Sequence, residues 1–217
     1  YLVYGAATLA PPPPIDCGPL RDAAREQLVR FDERCRQLGV ASYETRFQDS
    51  SAADALILQS LYCDLVITGQ SDLSDRSLIW STRLPAYLAL HSARPLLVIP
   101  EGDGPVTIPG RSIVIGWNAT AEASRAVAGA LPLLVRAQRV QIIVLNPRQH
   151  FGQHGQEPGA DLATYLARHG VRAEVSRSET SEECGTALCR LAQDSGADLI
   201  VAGAFGRSRF QEWVLGG

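Results

Sequence analysis

The sequence predicts an α/β protein built from two tandem copies of one open, doubly wound parallel sheet with helices on both faces. Three observations carry this expectation. Short apolar runs alternate with helical segments, the chain matches itself at a nearly constant offset, and the runs end on glycine. Runs such as "IVIG" and "DLIVAG" are continuously apolar, the pattern of strands covered on both faces. Parallel neighbours need crossover connections, and the intervening helices supply them, so the sheet is wound in both directions.

The repeat is read from two matches in the same order. "LQSLYCDLVITG" (58–69) parallels "LAQDSGADLIVAG" (191–203), with Asp64 opposite Asp198 at an offset of 134. Upstream, "RCRQLGVASYETR" (34–46) parallels "YLARHGVRAEVSR" (165–177), with Gly39 and Val40 opposite Gly170 and Val171 at an offset of 131. The first domain is therefore set at 1–103 and the second at 104–217, joined through the Gly- and Pro-rich "EGDGPVTIPGR".

In the first domain the order is the end of a strand ("YLVYGAA"), a "PPPP" segment and a helix over about 19–38. A strand at 41–47, a helix at 51–62, the strand "DLVITG", another helix and the strand "RPLLVIP" follow. In the second, strands are expected at 111–117, 139–145, 171–177 and 197–203, with helices at 120–137, 159–169 and 181–195. Thr120, ahead of Glu122, is the expected N-cap of the first of these helices. Pro132 should end it or kink its last turn. Gly170 is the expected left-handed residue closing the next helix. By this order the first domain lacks its opening strand and helix, and the second lacks its closing helix and strand.

Composition narrows the function classes. The formal net charge of −3 supplies no basic field for nucleic acid, and no apolar run nears the roughly 18–20 residues of a membrane span. No signal peptide is visible, and five cysteines without a CxxC spacing read as reduced thiols of a cytoplasmic protein. All 20 cationic residues are arginine, a coding bias that says nothing about fold.

In an open parallel sheet, ligands bind beyond the carboxyl ends of strands, where helix N-termini point inward. Gly203 and Gly206 follow "DLIVA" at that position, and glycine lets the backbone turn its amides toward an anion. A tight turn is the plainer reading of two glycines at a strand end. The longer segment "GAFGRSRFQEWVLG", with the spacing G-x2-G-x9-G, resembles the nucleotide loop of ATP-binding members of the universal stress protein family. "IVIGWNATAEASRAV" looks like that family's first strand and helix, and the duplicated chain resembles its tandem form.

The resemblance implies two flavodoxin-like or Rossmann-like domains (adenine nucleotide alpha hydrolase-like), each with a five-stranded parallel sheet, packed as an intrachain pseudo-dimer or further paired as a homodimer. It implies ATP or another adenine nucleotide, with or without Mg, as a regulatory ligand of a cytoplasmic stress-response protein. Matched residues are Asn118, Gly203, Gly206, Arg207, Ser208, Gly216 and Gly217. Gly217 stands where the family carries Ser or Thr, which removes one hydroxyl donor. Asn118 stands where many relatives carry Asp, which weakens charge and metal affinity.

In the first copy the same offset sets Gly69 opposite Gly203, Asp72 opposite Gly206, Thr82 opposite Gly216 and Arg83 opposite Gly217. Asp72 and Asp75 would repel phosphates, and a Cβ at a glycine position blocks close approach. The first domain is expected to have lost nucleotide binding and to serve as a packing partner. A nucleotide-free dimerisation or interaction scaffold of the same fold is the alternative. An ATPase or phosphotransferase is disfavoured because no Walker-type lysine or general base is present. His150 and His154 lie in a Gly- and Pro-flanked loop and read as surface residues, so no metal site and no catalytic residue are assigned.

Overall fold

The computed structural model describes residues 17–70, 84–100, 102, 109–150 and 156–204. The chain divides into two compact units, Tyr1–Ser51 and Ala52–Gly217. Among the described residues no helix is long and apolar enough to cross a membrane.

In the first unit, helix α1 (Gly18–Gln37) starts with a proline in its first turn and ends with Arg34 and Arg36. Those positions suit a fixed φ and the negative end of the helix dipole. Its end is a Schellman turn: Gly39 sits at φ +66°, its N–H donates to the Arg36 carbonyl, and the Val40 N–H donates to the Cys35 carbonyl. The chain then runs back along α1, with Tyr43 edge-on to Phe31, Phe47 under the Arg25 guanidinium and Asp49 paired with Arg21 at 2.7 Å. Residues 41–47, expected as a strand, are irregular. A strand is defined by its ladder, and among the described residues this segment has no strand beside it, so its aromatics are held by the helix instead.

The second unit begins with α2 (Ala52–Ser60), strand β1 (Val66–Gly69), α3 (Leu84–His91) and β2 (Leu96–Ile99). Strands β1 and β2 are parallel, with Val66 opposite Leu96. Buried Ser60 joins helix to loop: its hydroxyl donates to the Ile57 carbonyl at 2.7 Å and accepts the Ala93 N–H at 3.3 Å.

The larger sheet follows in the same unit. Its elements are β3 (Ser112–Gly116), α4 (Ala121–Leu134), β4 (Arg139–Leu145), a 3-10 turn (Pro147–His150), α5 (Ala160–Arg168), β5 (Ala173–Ser178), α6 (Cys184–Asp194) and β6 (Leu199–Ala202). The strands are all parallel in the order β5-β4-β3-β6. Among the described residues the two sheets thus have two and four strands, against the five per domain expected. The parallel α/β character is as the sequence predicts.

Alternate residues of the central strands serve opposite faces. Ile113, Ile115, Val140, Ile142 and Val144 pack on α4 and α5 through Val127, Leu134, Leu162 and Leu166. Val114 and Ile143 pack on α6 through Leu188 and Ala192. Both faces of β3 and β4 are covered, which is why apolar residues follow one another at 113–115 and 142–145. Helix α4 carries Pro132 inside its last turn and ends two residues later. Helix α5 ends as α1 does, with Gly170 at φ +80° and the Val171 N–H donating to the Leu166 carbonyl. The Gly-Val pairs 39–40 and 170–171, matched in the sequence, therefore make the same turn.

Two contacts lock the second unit further. A Cβ on Gly129, in α4, would lie 2.3 Å from the Pro95 ring carbon Cγ, so the helix meets the segment entering β2 at a glycine. Asp198 accepts the backbone N–H groups of Gly110, Arg111 and Ser112 at 3.0, 3.0 and 3.1 Å, tying the start of β6 to the start of β3. Burial pushes the Asp198 carboxyl upward, but the donors from Gly110, Ser112 and Arg111 outweigh it and hold the group below its ordinary value of 3.8.

A carboxylate depressed in the folded state contributes stability above its unfolded pKa and loses it as pH falls through the folded value. Asp198→Ala is thus expected to cost about 1–2 kcal/mol at neutral pH, since the site is solvent-exposed. Urea unfolding of both proteins across pH 2–7 should show the gap closing below about pH 4. A gap that does not change with pH would remove the carboxylate from the explanation.

Candidate functional site

The sheet order places its switch point between β3 and β6. From β3 the chain steps outward to β4 and β5, then crosses back to the other side of β3 as β6. At such a point the loops leaving the two strands diverge and open a crevice above their carboxyl ends. Asn118 follows β3 and Gly203 follows β6, so the fold brings these two predicted site residues to the same crevice. Gly206, Arg207, Ser208, Gly216 and Gly217 lie outside the described residues, as do Asp72, Asp75 and His154.

The loop after β3 is built by side-chain relay. The Trp117 N–H donates to the Ile143 carbonyl at 2.9 Å and continues the ladder by one residue. The chain then turns through Ala119 at φ +56°. Oδ1 of Asn118 accepts the Thr120 hydroxyl at 2.8 Å and the Thr120 N–H at 3.3 Å. The Thr120 oxygen accepts the Ala123 N–H at 3.3 Å, making it the N-cap of α4 as the sequence predicts. Asn118 therefore spends its carbonyl oxygen on orienting the helix. Among the described residues its carboxamide N–H groups have no hydrogen-bond acceptor.

Gly203 has a second reason to be glycine. A Cβ there would lie 2.5 Å from the Ala123 nitrogen and 2.8 Å from the Glu122 carbonyl carbon. These are backbone atoms of the first turn of α4, which cannot rotate aside as a side chain can. The strand end is thus pressed against the helix start, and Gly203 joins the two sides of the crevice. At Gly69, set opposite it in the sequence match, no described residue lies within 4 Å of such a Cβ.

The electrostatics of α4's N-terminus are partly satisfied from within. The Glu122 carboxyl is held below its ordinary value, first by its own backbone N–H, then by the Thr120 hydroxyl and by Arg125, whose guanidinium stands 3.3 Å away. A helix N-terminus attracts anions. Here a carboxylate of the helix already occupies part of that field.

Beside the switch point, between the first turns of α4 and α5, lies an open cavity of about 390 Å³. It is lined by Trp117, Ala119, Thr120, Ala121, Ser124, Gly159, Asp161 and Leu162, and shares the loop after β3 with the crevice. Its walls hold one carboxylate, two hydroxyls and an indole, and no arginine. Among the described residues no cation lines it.

Sequence reasoning passed over Trp117, Ser124, Asp161 and Asn146. Asn146 follows β4 at φ +49° and is 7% exposed; its Oδ1 accepts the Thr180 N–H at 2.8 Å, pinning the loop after β5. The signal available for it was an asparagine before proline at a strand end, where Asn tolerates the left-handed region. Burial raises the thiols of Cys184 and Cys189, the former also under the influence of Glu183, which suits packing rather than nucleophilic use. Among the described residues no group of three or more His, Cys, Asp or Glu side chains is placed to hold a metal ion.

No family model matches the chain, and no curated protein matches it. Among solved structures, one similar to it is a protein from the universal stress protein family from Burkholderia pseudomallei, at 24% identity and a TM-score of 0.39, covering 43% of this chain and 81% of that one. Another is protein Rv1636 from Mycobacterium tuberculosis, at 22% identity and a TM-score of 0.37, covering 52% of this chain and 85% of that one. Both TM-scores lie below 0.5, too low for either likeness to bear on function.

Proposed function

We propose that this chain is a ligand-binding regulatory protein of the universal stress protein type, acting in the cytoplasm and not as an enzyme. Its second half holds ATP or a related adenine nucleotide, with Mg where phosphate charge requires it, at the switch point between β3 and β6. The first half is the degenerate copy and packs as an intrachain pseudo-dimer, and each half completes a five-stranded sheet in the whole protein. The observation that carries the reading is the junction of Gly203 with the first turn of α4, beside the Asn118 loop. It brings the start of the G-x2-G-x9-G segment to a helix N-terminus above a parallel sheet, the location where nucleotides bind in such folds.

Gentle denaturation of the purified protein is expected to release an adenine nucleotide, resolved by chromatography. Calorimetry with ATP should show saturable heat that Gly206→Asp, copying the first half, abolishes. No released nucleotide and no heat up to millimolar ATP would overturn the reading.

One observation favours a second reading, a nucleotide-free interaction scaffold. The Glu122 and Asp161 carboxylates stand on the first turns of the two helices nearest the site, and packing alone suffices to require Gly203. Under that reading Gly206→Asp leaves the protein's behaviour unchanged.

A further inference from the structure

We draw no further inference here: the strongest candidate, the cavity of about 220 Å³ at the first residues of β4 and β5, lined by Arg139, Arg172 and Glu174, carries nothing, because Arg139 is already paired with Glu174, Arg172 is an exposed surface group, and nothing in the structure shows what covers them.

Discussion

Gly203→Ala is expected to lower the unfolding free energy by about 2–3 kcal/mol, the upper part of the range for forcing an extra carbon into a packed site. The added Cβ has no space to enter. Its nearest neighbours, at 2.5, 2.8 and 2.9 Å, are the Ala123 nitrogen, the Glu122 carbonyl carbon and the Ala123 Cα, all in one helical turn. Relief requires α4 to shift away from β6, and that movement pulls on the Thr120 cap and through it on Asn118. Urea denaturation should therefore show an earlier midpoint with an unchanged slope. Gly69→Ala is the internal control, because among the described residues nothing lies within 4 Å of its added Cβ; its stability should move by less than about 0.5 kcal/mol. Equal effects at the two glycines would mean that backbone entropy, and not the close approach, decides.

Asn146→Ala should cost about 2–3 kcal/mol through two separable causes. Removing Oδ1 leaves the part-buried Thr180 N–H without its acceptor, a loss of about 1–2 kcal/mol. Alanine at φ +49° then adds about 1 kcal/mol of backbone strain that asparagine tolerates better. Asn146→Gly removes the acceptor without the strain, so thermal or urea unfolding should place it between wild type and Asn146→Ala. If Gly proves as costly as Ala, the left-handed backbone contributes nothing and the hydrogen bond carries the whole effect.

The elements of the second half were legible because each carries its own local instruction. Continuous apolar runs mark β3, β4 and β6, the Thr120 cap opens α4, and Gly170 closes α5. The first half was less legible at 41–47, where "ASYETR" has the alternation of a strand but finds α1, and not a ladder, beside it. Propensity marks a segment as able to be a strand, while pairing depends on what the chain brings next to it.

The candidate site divides in the same way. Asn118 and Gly203 were visible because their signals sit at strand ends. Asp161 and Ser124 were not, since an acid in a first helical turn and a serine on a helix surface have ordinary local explanations. Their meeting around one cavity follows from how α4 and α5 pack, and no spacing in the sequence records that. Even for Gly203 the sequence supplied the position but not the reason: a close approach to α4 requires glycine there before any ligand arrives.

The contact of Gly129 with Pro95 bears on whether the segment from β3 onward is portable. A glycine within a helix costs about 1 kcal/mol relative to alanine, and α4 carries that cost because a proline of the preceding half occupies the place of its Cβ. Moved alone into another protein, the second half would keep the weak point and leave behind the neighbour that explains it. A segment that packs in this way is fitted to the residues before it and is not an interchangeable part.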